Sequence, residues 1–563
     1  MHSPHTEPHP SIYYPYQVHA PWLPRAHGPQ PRAKVVIVGS GPAGMVAALE
    51  LARHGVPSIV LESELQVSLG SRAIVFTRRS LEILQQVGVA ARLSEGGLPW
   101  RFGSSFYRGE CVFRMEAPHD PDDRFFPMLN VQQQYLEEYL VDACEASGLI
   151  DLRWGNKLTG IAQHAGHAAL GIDTPEGEYT LESDWVIAAD GGRSALRTLL
   201  GLKLEGAAYE GLFVIADIRA DLPLPTERRA YFDPAWNPGN TVLLHREPHG
   251  LWRVDYQLPK GETPEQALQP QSLKQRIDAT FAMIGHTDVP WEMDWASVYS
   301  AHALTLPDYR VGRALFIGDA AHLLPIFGVR GANTAFQDSQ SLGWQLAFVV
   351  KGLADKRLLA NFSAERVAAA REIIDEAGKS TRFMAPPTRG FELLRDAVLS
   401  LSLQHQFVRP LYHWRTSRPH EYTRSILNAR DDDNTRFIAG PANGAPPRNI
   451  RLGDDDHLLD HLGGGFELLY FTDGPAIPQA LRDVVDAQRA QGVPVRISAI
   501  GAAQPVAGAD QTFADAGGHL RQRYGVPAPG AAYLLRPDQH VCARWLTLDA
   551  PRLAAAFATA LPR

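Results

Sequence analysis

The spacing of apolar residues changes along the chain, and each change predicts a different kind of element. Val35 to Val38 form a short continuous apolar run, the pattern of a buried strand; after glycines at 39, 41 and 44 comes the helix-forming run MVAALELARHG. A second short strand, Ser58 to Leu61, ends in Glu62. Leu81, Leu84 and Val87 recur at helical spacing, and Tyr135, Leu136, Tyr139, Leu140 and Ala143 make one apolar helix face that stops at Gly148. Between them, residues 100–128 mix aromatic residues with Gly and Pro punctuation and predict strands of a second layer. Residues 151–182 and about 206–300 alternate as strands joined by short turns, most clearly in LWRVDYQL. Helical periodicity returns from about 355 to 430, where Leu394, Val398, Leu401 and Val408 share a face. Beyond a linker rich in Asp, Pro and Gly, GGGFELLYFTDG and VPVRISAIG predict strands again. Strands interleaved with helices in this order predict an α/β chain.

At 563 residues the chain exceeds what one core can serve, so two or three domains are expected. A formal charge of −8 argues against a nucleic-acid partner, because phosphate binding needs a basic surface. Cys111, Cys144 and Cys542 are scattered, with no CxxC and no ligand-like spacing; neither a disulfide framework nor a metal site is expected, and a reducing cytoplasm is the expected compartment. No apolar run reaches membrane-spanning length, and MHSPHTEPHP lacks the basic start and apolar core of a signal peptide. Residues 1–33, rich in His and Pro, read as a disordered or surface-wrapping arm whose aromatic cluster IYYPYQVHAPWLP is the part suited to docking.

The first strand, glycine turn and helix carry the chemistry. Gly39 permits the tight turn, Gly41 in the Gly41-Pro42-Ala43-Gly44 segment lets backbone approach a pyrophosphate, and Gly44 lets the helix pack on the strand. The phosphates then face the unpaired N–H groups of the helix N-terminus, and the Glu62 carboxylate suits the ribose hydroxyls. An adenine dinucleotide is therefore expected here. Arg72, close behind the turn, is a cation with a nearby anion to meet, and Gln132, at the head of the helix NVQQQYLEEYLVDACEASG, is counted among the same contacts.

Two later segments extend this pattern. WVIAADGGRSALRTLLGL places Asp190 and Gly191, then Arg193, Ser194 and Arg197, at the head of a helix after an apolar strand; RALFIGDAAHLLPIFGVRGAN places Asp319 after another. Together with the glycine turn they resemble the flavoprotein aromatic hydroxylases of the p-hydroxybenzoate hydroxylase type. The resemblance implies FAD as cofactor, with Asp190 and Asp319 among its contacts and Asp319 accepting a ribityl hydroxyl. It also implies that Gly331, Ala332 and Asn333 offer a helix N-terminus to the flavin pyrimidine edge, and that Pro325 lies in the flavin-side wall 323–330. The turn GVRGAN departs mildly from relatives, which often carry an extra glycine and a methionine there.

The implied fold is a p-hydroxybenzoate hydroxylase-like, Rossmann-type FAD-binding domain with an inserted substrate-binding β-sheet, plus a C-terminal thioredoxin-like domain. Its expected limits are 1–33 for the arm, 34–205 and 301–385 for the two parts of the FAD-binding domain, 206–300 for the substrate domain, 386–434 for a helical connection and 435–563 for the C-terminal domain. Lacking a CxxC, that last domain is assigned to packing or to a homodimer contact. The implied reaction is hydroxylation of a phenolic ring ortho or para to an existing hydroxyl, through a flavin C4a-hydroperoxide, with NADH or NADPH and O2 consumed; loss of a ring substituent is a variant of it. Tyr231, His245, Arg246, Arg253, Asp255, Tyr256, Tyr299 and His302 are the polar side chains of the inserted sheet from which substrate contacts or a proton acceptor are expected, and Arg246 or Arg253 is the expected holder of a substrate carboxylate. Strand alternation turns about half of them to the wrong face. The competing readings are a non-hydroxylating FAD oxidoreductase and a non-enzymatic FAD-fold binding protein, which usually degrades the glycine turn kept here. A flavin halogenase would carry WxWxIP, and WEMDWAS at 291–297 does not.

Overall fold

The computed structural model describes residues 1–563 apart from 27, 29, 326 and 413–417; residue 326 of the expected flavin-side wall and 413–414 at the end of the expected helical stretch therefore lie outside the described residues. Ala33–Val38 is a central strand of the first sheet, parallel to Ser58–Leu61 on one side and to Gly177–Ala188 on the other, with Val36 opposite both Ile59 and Val186. Ile150–Arg153 and Ala314–Phe316 continue the sheet in parallel on its two flanks. Both faces are covered, which is why these strands read as unbroken apolar runs rather than as alternation. The strand order reverses at the C-terminal end of Ala33–Val38, and Gly39 begins there, where α/β folds open a crevice for a ligand.

Helices Pro42–Arg53 and Gly331–Val350 pack together over this sheet. The second is buried from Asn333 to Phe348, apolar and polar residues alike, because a different part of the protein covers each side. Its first turn lies at the cofactor cleft, whereas Trp344 and Phe348 near its far end belong to the core of the C-terminal domain.

The inserted sheet holds eight strands. Glu205–Ala220, Arg228–Phe232, Thr241–Arg246, Leu251–Gln257 and Trp291–Thr305 are joined by Phe102–Tyr107, Glu110–Glu116 and His322–Leu323. The sheet thus reaches beyond 206–300: Phe102–Tyr107 pairs in parallel with Arg228–Phe232, so the second-layer strands expected near residue 100 are part of the inserted sheet itself. Alternation sorts its residues cleanly. Val214, Ala216, Val242, Leu244, Val254 and Tyr256 form a core on the outer face with the helix Pro270–Met283, while the odd-numbered residues of the same strands turn inward to the FAD-binding domain.

The arm is docked rather than disordered. Tyr14 and Tyr16 are buried; Tyr14 donates to Glu138 at 2.9 Å, and the Tyr16 hydroxyl accepts from Gly70 N and Gln134 Nε2, both at 3.1 Å. Ser11 and the Ile12 N–H both donate to Asp294 on the inserted sheet, and His19 stacks on Trp154 with ring centres 4.2 Å apart. Apolar rings on a polar segment supplied the burial that the His and Pro residues lack.

In the C-terminal domain five strands run in the order Gln511–Ala514, Val495–Gly501, Phe466–Thr472, Ala532–Leu535, Val541–Trp545; the first three are parallel and the last two antiparallel. The turn 536–540 enters the FAD-binding domain. There Arg536 pairs with Glu365 at 2.6 Å and with Asp538 at 2.5 Å, and Trp344 donates to Asp538 at 3.0 Å, all of them buried. Arg79, from the helix Arg78–Gln86, donates to the carbonyl of Asp538 at 3.0 Å and to Gln539 at 3.1 Å. Among the described residues no helix is long and apolar enough to cross a membrane, and no cluster of His, Cys, Asp and Glu has a metal-binding arrangement.

Candidate functional site

The glycine turn has the shape a dinucleotide needs. A Cβ on Gly39 would lie 2.5 Å from the carbonyl oxygen of Ala189, and one on Gly44 would lie 2.1 Å from the carbonyl oxygen of Gly39, so both are held by close backbone. A Cβ on Gly41 would meet nothing within 4 Å. The open space lies at the N-terminus of the helix beginning at Pro42, where the first N–H groups lack intrahelical acceptors. Glu62, at the end of the second strand, is drawn in from below: Ser40 N and Oγ donate to one oxygen at 3.0 and 2.8 Å and Glu64 N to the other at 3.0 Å. Ser63 Oγ also donates to that second oxygen, at 3.2 Å, so all four acceptor positions are used and the carboxylate is fixed beside the turn; the two bonds from serine hydroxyls are the ones a ribose hydroxyl can replace.

Asp319 marks the other end of the cleft. Its side chain is open to solvent, but it stands on a protein-walled floor, so desolvation raises its pKa against the pull of His322, Arg72 and Arg197. Arg72 is thus near Asp319, as expected of a cleft-lining cation. Arg197 ties the second and third motifs together, donating to the carbonyl of Ala320 at 3.0 Å and to that of Gly192 at 2.5 Å. Below them, His322 and Arg366 grip buried Asp338 at 2.7 and 2.6 Å, and Asp338 accepts from Gly318 N at 3.0 Å. Desolvation works against the Asp338 charge, but Arg366 and His322 outweigh it and hold its pKa low. Sequence reading missed this anchor because its members lie far apart in the chain. Gln132 is fully buried, donates to the carbonyl of Pro248 at 3.3 Å and keeps its Oε1 without a partner. An extended dinucleotide carrying a flavin fits this set: open space at Gly41, hydroxyl acceptors at Glu62 and Asp319, an orphan amide oxygen at Gln132, and a helix N-terminus at Gly331.

The side chains of Asp190 and Asn333 are engaged within the fold, whereas the contact expected of residues 331–333 is through their backbone N–H groups. The Asp190 carboxylate closes its own turn, accepting from Ser194 Oγ at 2.6 Å and Leu196 N at 3.0 Å. Asn333 is fully engaged: its Oδ1 accepts from Thr77 N at 2.8 Å and Ser80 Oγ at 2.6 Å, and its Nδ2 donates to the carbonyls of Val75 and Val329. Only the backbone N–H groups of the first turn, residues 331–333, remain to face a ligand. The loop before it is strained, with Val329 at φ 56°, a value a β-branched residue rarely adopts. Pro325 is buried in that loop, and the nearby Phe327 sets its ring edge-on to Phe213 of the inserted sheet, 5.3 Å away.

The eight polar candidates divide by strand parity. Tyr231, Arg246, Tyr256 and His302 fall on the outer face: Tyr231 stacks on Phe106, Arg246 lies over Trp252, Tyr256 meets Trp236, and His302 shares the parity of Val298 and bonds Ser300. His245, Arg253, Asp255 and Tyr299 turn inward. They lie in three adjacent rows across the sheet. The first runs Arg228, His245, Arg253, Asp217, Trp295; the second Ser105, Ala230, Leu243, Asp255, Ile215, Ser297; in the third Tyr107 faces Phe232 and Phe213 faces Tyr299.

The first row is charged and settled. Arg253 is spent on Asp217, with bonds of 2.8 and 2.7 Å, and on the backbone carbonyls of Ser71 and Arg72, so it is not free to hold a substrate carboxylate; Arg246 is on the wrong face for it. His245 is wedged between Arg228 and Arg253 and, by burial first and their charges second, is held neutral with its pKa well below the usual range. The third row is aromatic and meets Phe327 and Phe383. Ser105, Arg228, Asp217 and Glu247 were not among the sequence candidates; only the joining of 102–107 to the sheet brings Ser105 here.

Residues 32–377 match the family model described as FAD binding domain. Among curated proteins, a 3-(3-hydroxyphenyl)propionate/3-hydroxycinnamic acid hydroxylase of Mycolicibacterium smegmatis is 27% identical over 444 residues, covering 78% of this chain and 77% of that protein. A second hydroxylase of that description, from Burkholderia vietnamiensis, is 31% identical over 377 residues, covering 66% of each. Among solved structures, the flavin-dependent monooxygenase PieE in complex with FAD and substrate superposes with a TM-score of 0.80 at 25% identity, covering 95% of this chain and 99% of that one. Aklavinone-11 hydroxylase with FAD and aklavinone has the same fold, with a TM-score of 0.76 at 23% identity over 95% of this chain and 100% of that one.

Proposed function

The chain belongs to the FAD-binding-domain family, and from that premise we propose that it is an FAD-dependent aromatic-ring monooxygenase that hydroxylates a phenol at the expense of NADH or NADPH and O2. The observation that carries this reading is the meeting of the cleft from Gly41 to Asp319 with the inward face of the inserted sheet, at the Phe327–Phe213 contact. Bound FAD, reduced by the nicotinamide, supplies oxygen in an electrophilic form. The protein's own residues do the rest. Gly41 and the N-terminus at Pro42 receive the pyrophosphate, Glu62 and Asp319 take hydroxyls, and the N–H groups of 331–333 stabilise negative charge at the flavin ring. Phe213, Phe327 and Tyr299 keep water from the reacting edge.

The relatives act on hydroxyphenylpropionates by name. For this chain we hold to a phenolic ring hydroxylated ortho or para to its hydroxyl. The C-terminal domain reads as thioredoxin-like, supported by its parallel βαβ unit followed by an antiparallel pair; Cys542 is buried and its thiol pKa is pushed up to about 12 by burial, so it does no dithiol chemistry. A homodimer is supported by the exposed Phe391, Leu394, Leu401 and Phe407 of the segment following residue 388, and a cytoplasmic setting by three unpaired cysteines.

The test is a visible spectrum of the purified protein, followed by NAD(P)H oxidation against a panel of phenols that includes 3-(3-hydroxyphenyl)propionate. A yellow protein whose oxidation rate rises with one phenol, with hydroxylated product matching the NAD(P)H consumed, is expected. A yellow protein that oxidises NAD(P)H but hydroxylates none of them would replace the reading with a simple FAD oxidoreductase.

A further inference from the structure

We propose that Asp255 is the group that takes the phenolic proton, with the substrate ring lying along the middle row of the inward sheet face and its hydroxyl directed at the Asp255 carboxylate. The inference rests on the monooxygenase reading above and names the residue that prepares the substrate for it.

Four observations converge on this position. First, the ends of the middle row are small: Ser105, Ala230 and Ser297 stand where the neighbouring rows carry Arg228, Phe232, Trp295 and Tyr299, while apolar Leu243 and Ile215 flank Asp255. A carboxylate set between apolar side chains, with a charged row on one side and an aromatic row on the other, suits a flat ring with one polar end. Second, Asp255 is 7% exposed and its carboxylate makes no hydrogen bond among the described residues. A carboxylate left with little solvent contact and no donor is costly, and its oxygens still open toward a partner that the described residues do not provide. Third, further polar atoms on the same face are buried without a hydrogen bond: Ser105 Oγ, His245 Nδ1 and both Glu247 oxygens, one of which lies 3.7 Å from Arg253 Nε. Fourth, the aromatic row connects the position to the cofactor side, because Phe213 stacks on Tyr299 at 5.7 Å and meets Phe327 at 5.3 Å.

The electrostatics suit a proton acceptor. Desolvation pushes the Asp255 pKa up to about 7; Arg253 on its own strand and Arg228 across the sheet pull it down, and Asp217 pushes it further up. Of the other groups on this face, Tyr299 is kept protonated by burial and by Asp255, His245 is neutral, and Glu247 is driven far above the carboxylate range by burial and by Asp217. Asp255 is therefore the one carboxylate of the group poised to exchange a proton near neutrality, where an acid-base catalyst works best. In the step, the phenolic O–H bond breaks, its proton passes to an Asp255 oxygen, and the electron pair stays on the substrate oxygen, enriching the ortho and para carbons that accept the electrophilic oxygen. Arg228 lies close enough to stabilise the phenolate through space.

The experiment compares FAD-loaded wild type with Asp255→Asn and Asp255→Glu. For a weakly acidic phenol, Asp255→Asn is expected to lower kcat by about 100-fold or more and to remove the acid limb of the kcat/KM profile near pH 7, with FAD content and the rate of flavin reduction by NAD(P)H unchanged. Asp255→Glu restores part of the rate. A nitrophenol, ionised before it binds, is expected to lose far less than the weakly acidic phenol. An Asn variant that keeps both its acid limb and a kcat within about threefold of wild type would overturn the assignment, as would equal losses for ionised and un-ionised phenols. Failure of the monooxygenase reading looks different: the wild type itself would hydroxylate no phenol.

Discussion

Arg253 closes a two-pronged pair on Asp217, Nε to Oδ1 at 2.8 Å and Nη2 to Oδ2 at 2.7 Å, with both side chains 3% exposed. The pair joins two neighbouring strands of the inserted sheet, and the same guanidinium reaches the carbonyls of Ser71 and Arg72 in the FAD-binding domain. Arg253→Ala leaves a buried carboxylate alone and is expected to cost about 3–5 kcal/mol. Replacing both partners, as Arg253→Met with Asp217→Leu, should recover most of it. Urea unfolding of the two variants reads the difference. A substrate-binding arginine would instead leave stability nearly intact and raise KM only for phenols carrying a carboxylate.

Gly41 and Gly44 make a contrasting pair. Gly44→Ala puts a methyl 2.1 Å from the Gly39 carbonyl, against backbone that has no way to yield, and is expected to abolish soluble folded protein. Gly41→Ala meets no protein atom, so the chain should fold with its ordinary circular dichroism while the methyl intrudes on the pyrophosphate space. Loss of FAD from folded Gly41→Ala after gel filtration is the expected result, and full retention would show that the phosphates lie elsewhere.

The pH dependence of stability carries a signature of Asp255. Its pKa is 3.8 ordinarily and about 7 when folded, so between those values the folded chain binds a proton the unfolded chain does not. Stability from this group is therefore greatest on the acid side of the window and falls as pH rises, by up to about 4 kcal/mol once pH exceeds 7. Glu137 and Glu467, both also pushed up to about 7 by burial, act in the same direction. Asp255→Asn should flatten its share of the slope and raise the melting temperature at pH 8 relative to wild type, with little change at pH 5. An unchanged difference between the two proteins from pH 5 to pH 8 would refute the raised pKa.

Arg536 fastens the C-terminal domain. Its guanidinium is fully buried between Glu365 of the FAD-binding domain and Asp538 of its own turn. Arg536→Ala strands two carboxylates and is expected to cost about 3–5 kcal/mol at this joint. Calorimetry should then show the single transition of wild type splitting in two, with protease cleavage appearing in the linker near residues 430–440.

The arm contributes through Tyr16. Removing its hydroxyl in Tyr16→Phe leaves the buried Gly70 N–H without an acceptor, an expected loss of about 1–3 kcal/mol. Because residues 68–72 lead directly to Arg72, FAD should also dissociate faster, which the rate of fluorescence recovery of released flavin measures.

Local rules made parts of this protein legible in the sequence. A strand, three glycines and a helix within about twenty residues fix a phosphate-binding turn, because Gly39 and Gly44 answer to backbone a few residues away or directly across one strand while Gly41 keeps the space beside the helix N-terminus open. The alternation in LWRVDYQL announced a sheet with two unlike faces. It did not say which face looks toward the cofactor, and so Tyr231, Arg246, Tyr256 and His302 were grouped with four residues that lie on the other side. Asp190 reads as a ligand because its motif marks the right turn, yet its carboxylate accepts from Ser194 and Leu196 of that same turn.

The sequence by itself determined the order of elements, the glycine turn and the two-faced sheet, all set by backbone sterics and hydrophobic period over a few residues. Only the tertiary structure decided that strand Phe102–Tyr107 completes the inserted sheet, that Arg253 belongs to Asp217, that the turn 536–540 is sunk into the FAD-binding domain, and that Asp255 stands without a hydrogen-bond partner among the described residues. Each of those depends on charge and burial supplied by residues tens to hundreds of positions away, and a desolvated charge takes its properties from whatever folding brings beside it.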